Sequence, residues 1–196
     1  MNLMRKSAVH VRTTEGSSFI SRLSHPPLLL WLFFDESALV GISIDYAAAR
    51  RPKDRGNLTE KPLPRLLEAE LNRYFETGVL DLTWPARFES GTPFEQSVWK
   101  AARSIPAGET RSYGWLAEKI GRPRAARAVG QALARNPLPV VFPCHRVIRS
   151  DGGLGGFYSG TRAKKYLLEL ERRNTARSIA DPDPPVGSNS GRKVRE

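Results

Sequence analysis

The most apolar run of this 196-residue chain, "LLLWLFF" at Leu28 to Phe34, limits what the chain can fold into. It falls far short of the ~20 residues that cross a membrane as a helix. It follows two prolines, is closed by Asp35 and Glu36, and lacks a small-residue cleavage pattern, so a signal peptide is not expected either. What remains is a buried strand, and "ALVGISI" at Ala38 to Ile44, set off by "DES", supplies a hairpin partner. Such strands need a core to cover them, and a chain of this length has enough apolar sequence for one large domain or two small ones.

The segment from Arg50 to Pro62 is polar and proline-bounded, hence a surface loop. Leu63, Leu66, Leu67, Leu71, Tyr74 and Phe75 then recur at helical spacing, and "VLDLTW" from Val79 reads as a strand. Residues 1–90 thus form a small α+β unit. Beyond them the pattern changes to helices with short links. Thr92 and Pro93 start one helix, with Phe94, Val98, Trp99 and Ala102 on a single face. Ser112 can cap a second, "YGWLAEKI", which ends at Gly121, and "RPRAARAVGQALAR" makes a third that Asn136 and two prolines stop. "TRAKKYLLELE" resumes helical spacing, so a second domain spans 91–171. Residues 172–196 hold three prolines and few apolar side chains, and a disordered tail is expected there.

Two short helices joined by a glycine-containing turn, the second one basic, describe a helix-turn-helix. Lys plus Arg number 31 against 20 Asp plus Glu, a net +11 that suits nucleic acid or an acidic membrane surface. The second helix is unusual for a base reader. Ala125, Ala126, Ala128, Gly130 and Ala132 are small, and Arg127 stands among them. A major-groove helix carries Asn, Gln or Arg at several positions. A plain packing helix has this composition, and so does one that approaches the minor groove, about 6 Å wide, where Arg127 is the long side chain able to enter the base stack.

The only cysteine, Cys144, lies in "NPLPVVFPCHRVI". A single cysteine excludes an intrachain disulfide and a cysteine-built zinc site, leaving a small buried hydrophobe or a reactive thiol in a reducing compartment. "RSDGGLGGFYSG" follows, with five glycines in twelve residues. It is either a flexible turn or a loop that brings backbone N–H groups close to a ligand.

"PCHRVI", preceded by "NPLP" and "RAVGQALARN" and followed by the glycine-rich loop and "LLELE", closely resembles the O6-alkylguanine-DNA alkyltransferases, also called methylated-DNA–protein-cysteine methyltransferases. The likeness runs from about Thr92 to Glu171. It implies an α+β protein with an N-terminal ribonuclease-H-like domain and a C-terminal, mainly helical domain carrying the helix-turn-helix and the thiol. The implied activity is direct repair: an alkyl group on O6 of guanine, or O4 of thymine, moves irreversibly to Cys144, with no cofactor and no metal. His145 matches the base, acting through a bridging water, and Glu171 the carboxylate that orients it. Asn136 matches the residue that holds the turn before the active-site strand. Arg127 matches the finger that fills the gap left by the rotated-out nucleotide, Tyr113 the residue that crowds its phosphate, and Ala125 and Ala126 lie on the DNA-facing helix. Phe157, Tyr158 and Ser159 fall in the substrate pocket; Phe157 stands where the family usually has tyrosine. The implied partner is double-stranded DNA carrying O6-alkylguanine. A monomer in the cytoplasm is expected (nucleoid-associated in a prokaryote, nuclear in a eukaryote), with cooperative assembly on DNA left open and no membrane partner. The sulfur is expected to be deprotonated and exposed enough to meet an everted purine.

Three other readings compete. A helix-turn-helix regulator with an inert cysteine would want more base-reading side chains on its second helix. A non-catalytic lesion binder of the alkyltransferase-like group would lack the cysteine. A cysteine hydrolase would need an oxyanion hole, which adjacent Cys144 and His145 do not suggest.

Overall fold

The computed structural model describes residues 18–35, 38–47, 58–88 and 90–180. Three strands, β1 (Phe19–His25), β2 (Leu28–Asp35) and β3 (Ala38–Tyr46), form an antiparallel meander, and the short β4 (Thr59–Glu60) pairs parallel to β1, in the order β3-β2-β1-β4. β2 is therefore interior, and its two faces enter different clusters. Leu28, Leu30, Leu32 and Phe34 join the main core, while Trp31 and Phe33 pack with Ile20 and Val40 on the other side. Burial on both faces is why "LLLWLFF" does not alternate with polar residues. Within the expected "DES" turn, Glu36 and Ser37 lie outside the described residues, as do residues 50–57 of the expected loop; β4 occupies part of the remainder.

Helix α1 (Arg65–Thr77) lays Leu67, Leu71, Tyr74 and Phe75 on the sheet, while Leu66 is 54% exposed and Leu63 precedes the helix. Gly78 ends it at φ 74°, donating its N–H to the Tyr74 carbonyl at 2.7 Å. The strand expected from Val79 is not formed. Its backbone donors go to a side chain: the Glu70 carboxylate accepts from Thr83 N at 2.8 Å and Trp84 N at 3.3 Å. Among the described residues, a single parallel bridge, Leu39 to Ala86, joins this stretch to the sheet.

The second half is helical, as expected. Helix α2 (Pro93–Ala102) opens with a reciprocal capping box between Thr92 and Glu95. Gly91, at φ 102°, lies where a Cβ would come within 2.5 Å of the Trp99 ring. Helix α3 (Tyr113–Lys119) is capped by the Ser112 hydroxyl, which accepts from Trp115 N at 3.1 Å. Helix α4 (Ala126–Ala134) starts later than the sequence suggests, because a turn closed by Ala125 N on Arg122 O (2.8 Å) precedes it. Helix α5 (Thr161–Ala180) corrects the expected tail: residues 172–180 are helical, since the first proline after Glu171 is Pro182. Residues 181–196 lie outside the described residues.

The two halves share one core. Leu116, Val129, Leu133 and Leu167 belong to the same cluster as Leu30 and Leu71, and Ile42 N donates across to Pro137 O at 2.8 Å. Among the described residues, no helix is long and apolar enough to cross a membrane.

Candidate active site

Three pieces of chain meet beneath α3 and α4. The first is the turn after α4, where Asn136 is buried and acts as a clamp: its Oδ1 accepts from Leu138 N at 3.1 Å and its Nδ2 donates to Phe142 O at 2.7 Å. The turn is tight enough to hold Val140 at φ 75°, a strained conformation for a β-branched residue. The chain leaves it as a single 3₁₀ turn, Cys144–Arg146, and only then becomes the two-residue strand β6 (Val147–Ile148), which pairs parallel to β5 (Arg111–Ser112). The active-site strand thus starts after the thiol rather than before it.

This turn puts Cys144, His145 and Arg146 side by side in the interior. The second piece, the middle of α5, delivers Glu171, whose side chain is completely shielded from solvent. His145 Nε2 lies 2.7 Å from Glu171 Oε1. Arg146 grips the same carboxylate with two donors, Nε to Oε2 at 2.8 Å and Nη2 to Oε1 at 2.9 Å, and spends Nη1 on Ile105 O at 2.6 Å. Tyr74 Oη donates to Oε1 at 2.8 Å and Gly108 N to Oε2 at 3.3 Å. Burial alone would push this carboxyl up, but His145 and Arg146 outweigh it and hold the carboxyl at about 2. Glu171 is therefore an anion that only accepts.

The tautomer of His145 follows. Burial pushes the imidazole below its ordinary value, against the pull of Glu171, so the ring is neutral. Its one proton must sit on Nε2, facing the carboxylate. Nδ1, buried and without a protein partner, then carries a bare lone pair. Cys144 is only 6% exposed, and burial pushes its thiol up; the Asn136 side chain, the Lys164 ammonium and the N–H groups of Cys144 and His145 oppose this. The resting sulfur is thus a thiol, next in the chain to a neutral base, rather than the deprotonated sulfur expected from the sequence.

The third piece is the glycine-rich loop. Gly155, at φ 66°, passes so close to Tyr113 that a Cβ there would lie 2.6 Å from the tyrosine hydroxyl. On the ring's other flank, a Cβ on Gly130 of α4 would lie 3.6 Å from it. Tyr113 is half-buried between them, its hydroxyl pushed up first by burial and then by Cys144 once that thiol is ionised.

Residues 93–173 match the family described as 6-O-methylguanine DNA methyltransferase, DNA binding domain. The methylated-DNA–protein-cysteine methyltransferase of Methanosarcina barkeri is 50% identical over 110 residues, which is 56% of this chain and 66% of that protein, just under two thirds of its length. That of Methanosarcina mazei is 43% identical over 130 residues, 66% of this chain and 80% of that one. The crystal structure of Mycobacterium tuberculosis OGT in complex with DNA superposes with TM-score 0.70 at 37% identity, covering 80% of this chain and 94% of that one. The chain belongs to the 6-O-methylguanine DNA methyltransferase family.

In this methyltransferase-family chain, Cys144, His145, Glu171, Asn136 and Tyr113 converge, and the other predicted residues lie further out. Arg127 is exposed on α4, Ala125 and Ala126 are half-buried at its start, and Tyr158 is 37% exposed. Phe157 packs against the core, while Ser159 is half-buried. Among the described residues, no group of three or more His, Cys, Asp or Glu side chains is placed to hold a metal ion.

Sequence reading missed Arg146, Lys164 and Tyr74. Arg146 and Lys164 are buried cations, and nothing local separates a buried arginine from a surface one. Lys164 did leave a trace: Lys164, Leu167 and Glu171 are spaced three and four apart, which puts all three on one face of α5. Its Nζ donates to Val147 O at 2.6 Å and Gly156 O at 3.4 Å, tying the loop to β6. Burial lowers this ammonium to about 8, with Cys144 pulling it back up.

Proposed function

We propose that the chain repairs alkylated DNA directly, moving the alkyl group from O6 of guanine, or O4 of thymine, to Cys144 in one irreversible step. The observation that carries this is the bare Nδ1 of His145, on the same 3₁₀ turn as the thiol and held in that tautomer by an ionised Glu171. The thiol proton passes to Nδ1 through the bridging water that the resemblance implies. Glu171 steadies the imidazolium that forms, and Lys164 faces the thiolate. The sulfur attacks the alkyl carbon, a C–S bond forms as the C–O6 bond breaks, and the proton ends on the departing guanine. A thioether is a poor leaving system, so each chain acts once.

A thiol this buried cannot reach an atom inside an intact base stack, so the target nucleotide must rotate out, at a few kcal/mol. Helix α4 suits a shallow groove. Its exposed positions are Ala128, Gln131 and Ala134, with Arg127 as the residue that fills the gap in the stack. Tyr113, packed against both α4 and the Gly155 loop, crowds the phosphate, and Phe157 with its neighbours lines the pocket. DNA contact belongs to 91–171, and residues 1–90 support it. The protein works as a monomer on double-stranded DNA in a reducing compartment, without metal or cofactor.

Duplex DNA carrying O6-methylguanine tests this by mass spectrometry. The protein is expected to gain one methyl, at Cys144, and then stop. Continued turnover of an ester or peptide overturns the proposal, and so does sequence-specific DNA binding without mass gain.

A further inference from the structure

We propose that Tyr74 is a positioning residue for the transfer site: its hydroxyl shares Glu171 Oε1 with His145, so the N-terminal half tunes the imidazole that receives the thiol proton. This rests on reading Cys144, His145 and Glu171 as a proton relay. The geometry is specific. Tyr74 Oη at 2.8 Å and His145 Nε2 at 2.7 Å address one oxygen of one carboxylate. Tyr74 is wholly buried on α1, 97 residues from its partner in sequence.

Its seating leaves little play. One turn after Tyr74, Gly78 caps the helix onto the Tyr74 carbonyl, and a Cβ on Gly78 would lie 3.0 Å from Glu171 Cα. The end of α1 is thus pressed against α5 at the residue that Tyr74 contacts. The direction of the hydrogen bond is also settled. Glu171 is ionised and only accepts, while burial, and then Glu171 itself, keep the phenol protonated.

A donor on Oε1 draws charge from that oxygen and weakens its hold on the Nε2 proton. The other groups in reach are fixed. Arg146 on the 3₁₀ turn, with Lys164 and Glu171 on α5, faces His145; Glu171 and Tyr166 on α5, with Arg146, face Tyr74. Tyr74 is a neutral donor, and removing its hydroxyl leaves every formal charge in place. Without it, Glu171 pulls harder, and the imidazole protonates at higher pH and can no longer take the thiol proton.

The test is Tyr74→Phe in the full chain, following alkylation of Cys144 by free O6-benzylguanine through the acid limb of its pH profile. The limb is expected to move up by about half a pH unit or more, with the plateau rate changed by less than about tenfold. A folded variant whose limb superposes on wild type overturns the proposal. If Tyr74→Phe does not fold, a ring-fluorinated tyrosine at position 74, a stronger donor, must move the limb down; an unmoved limb is again fatal. A wild-type chain that fails to react defeats the repair reading instead. Nitrogen NMR of His145 then decides the present one: its protonation midpoint rises in Tyr74→Phe if the hydroxyl acts as stated, and stays put if it does not.

Discussion

His145 Nε2 and Glu171 Oε1 lie 2.7 Å apart in a site where both side chains are fully shielded from water, so the proton between them has one place to be. Glu171→Gln keeps the size and one acceptor but removes the charge. The imidazolium formed on transfer then lacks its counter-ion, and Arg146 becomes a buried cation without an anion. Alkylation by O6-benzylguanine is expected to slow by about 10²-fold or more, and unfolding in urea should show a loss of about 3–5 kcal/mol. A variant as stable and as fast as wild type would mean that the carboxylate is a spectator.

Stability should fall on acidification in two stages, and the signs agree. The folded state holds Glu171 at about 2 against an ordinary 4.5: burial opposes this, and His145 and Arg146 more than reverse it. A depressed acid contributes stability that is complete above 4.5 and lost as pH falls toward 2, about 3 kcal/mol in all. His145 is also depressed, chiefly by burial, from an ordinary 6.5. The unfolded chain therefore takes up that proton first, and stability begins to fall below pH 6.5. Urea midpoints measured from neutral pH downward check this. A flat midpoint down to the carboxylate range would show that His145 is not held neutral in the fold.

Lys164→Met separates charge from volume. The methionine fills the same buried space, but Val147 O and Gly156 O lose a donor and the thiol loses the cation that pulls it down. The thiol should titrate at higher pH, read by thiolate absorbance, and the reaction at neutral pH should fall about tenfold for each unit of that rise. An unchanged thiol titration would confine Lys164 to tying down the loop.

Much of this site was legible from residue order, and the parts that were not share a cause. Thr92 with Glu95, Ser112 before α3 and the stripe of α1 are local signals, set within one or two turns of helix, and they reappear as capping bonds and buried faces. The family spacing from Asn136 to Glu171 singled out Cys144, His145 and Glu171, which the fold brings together. In the "VLDLTW" segment a distant carboxylate, Glu70, takes the Thr83 and Trp84 donors that a ladder would use. Arg146, Lys164 and Tyr74 were passed over because burial is decided by tertiary packing, and their partners lie 25, 17 and 97 residues away. The protonation of Cys144 was misjudged for the same reason: reactivity suggests a thiolate, whereas enclosure favours the thiol.

Arg127→Ala distinguishes base eversion from chemistry. Arg127 is exposed on α4 and makes no contact with the buried relay, so its loss should leave the pH profile and the rate with free O6-benzylguanine within about threefold of wild type. Repair of O6-methylguanine in a duplex should fall by a larger factor, because the gap left by the rotated base, worth a few kcal/mol of lost stacking, is no longer filled. The deficit should shrink when the lesion sits in single-stranded DNA, where little stacking has to be broken. Salt gives a second axis: duplex binding by either protein should weaken steeply as salt rises, with the slope reduced by at most about one in Arg127→Ala. Equal losses on free base and duplex would place Arg127 in the chemistry and leave α4 without a residue to hold the stack open.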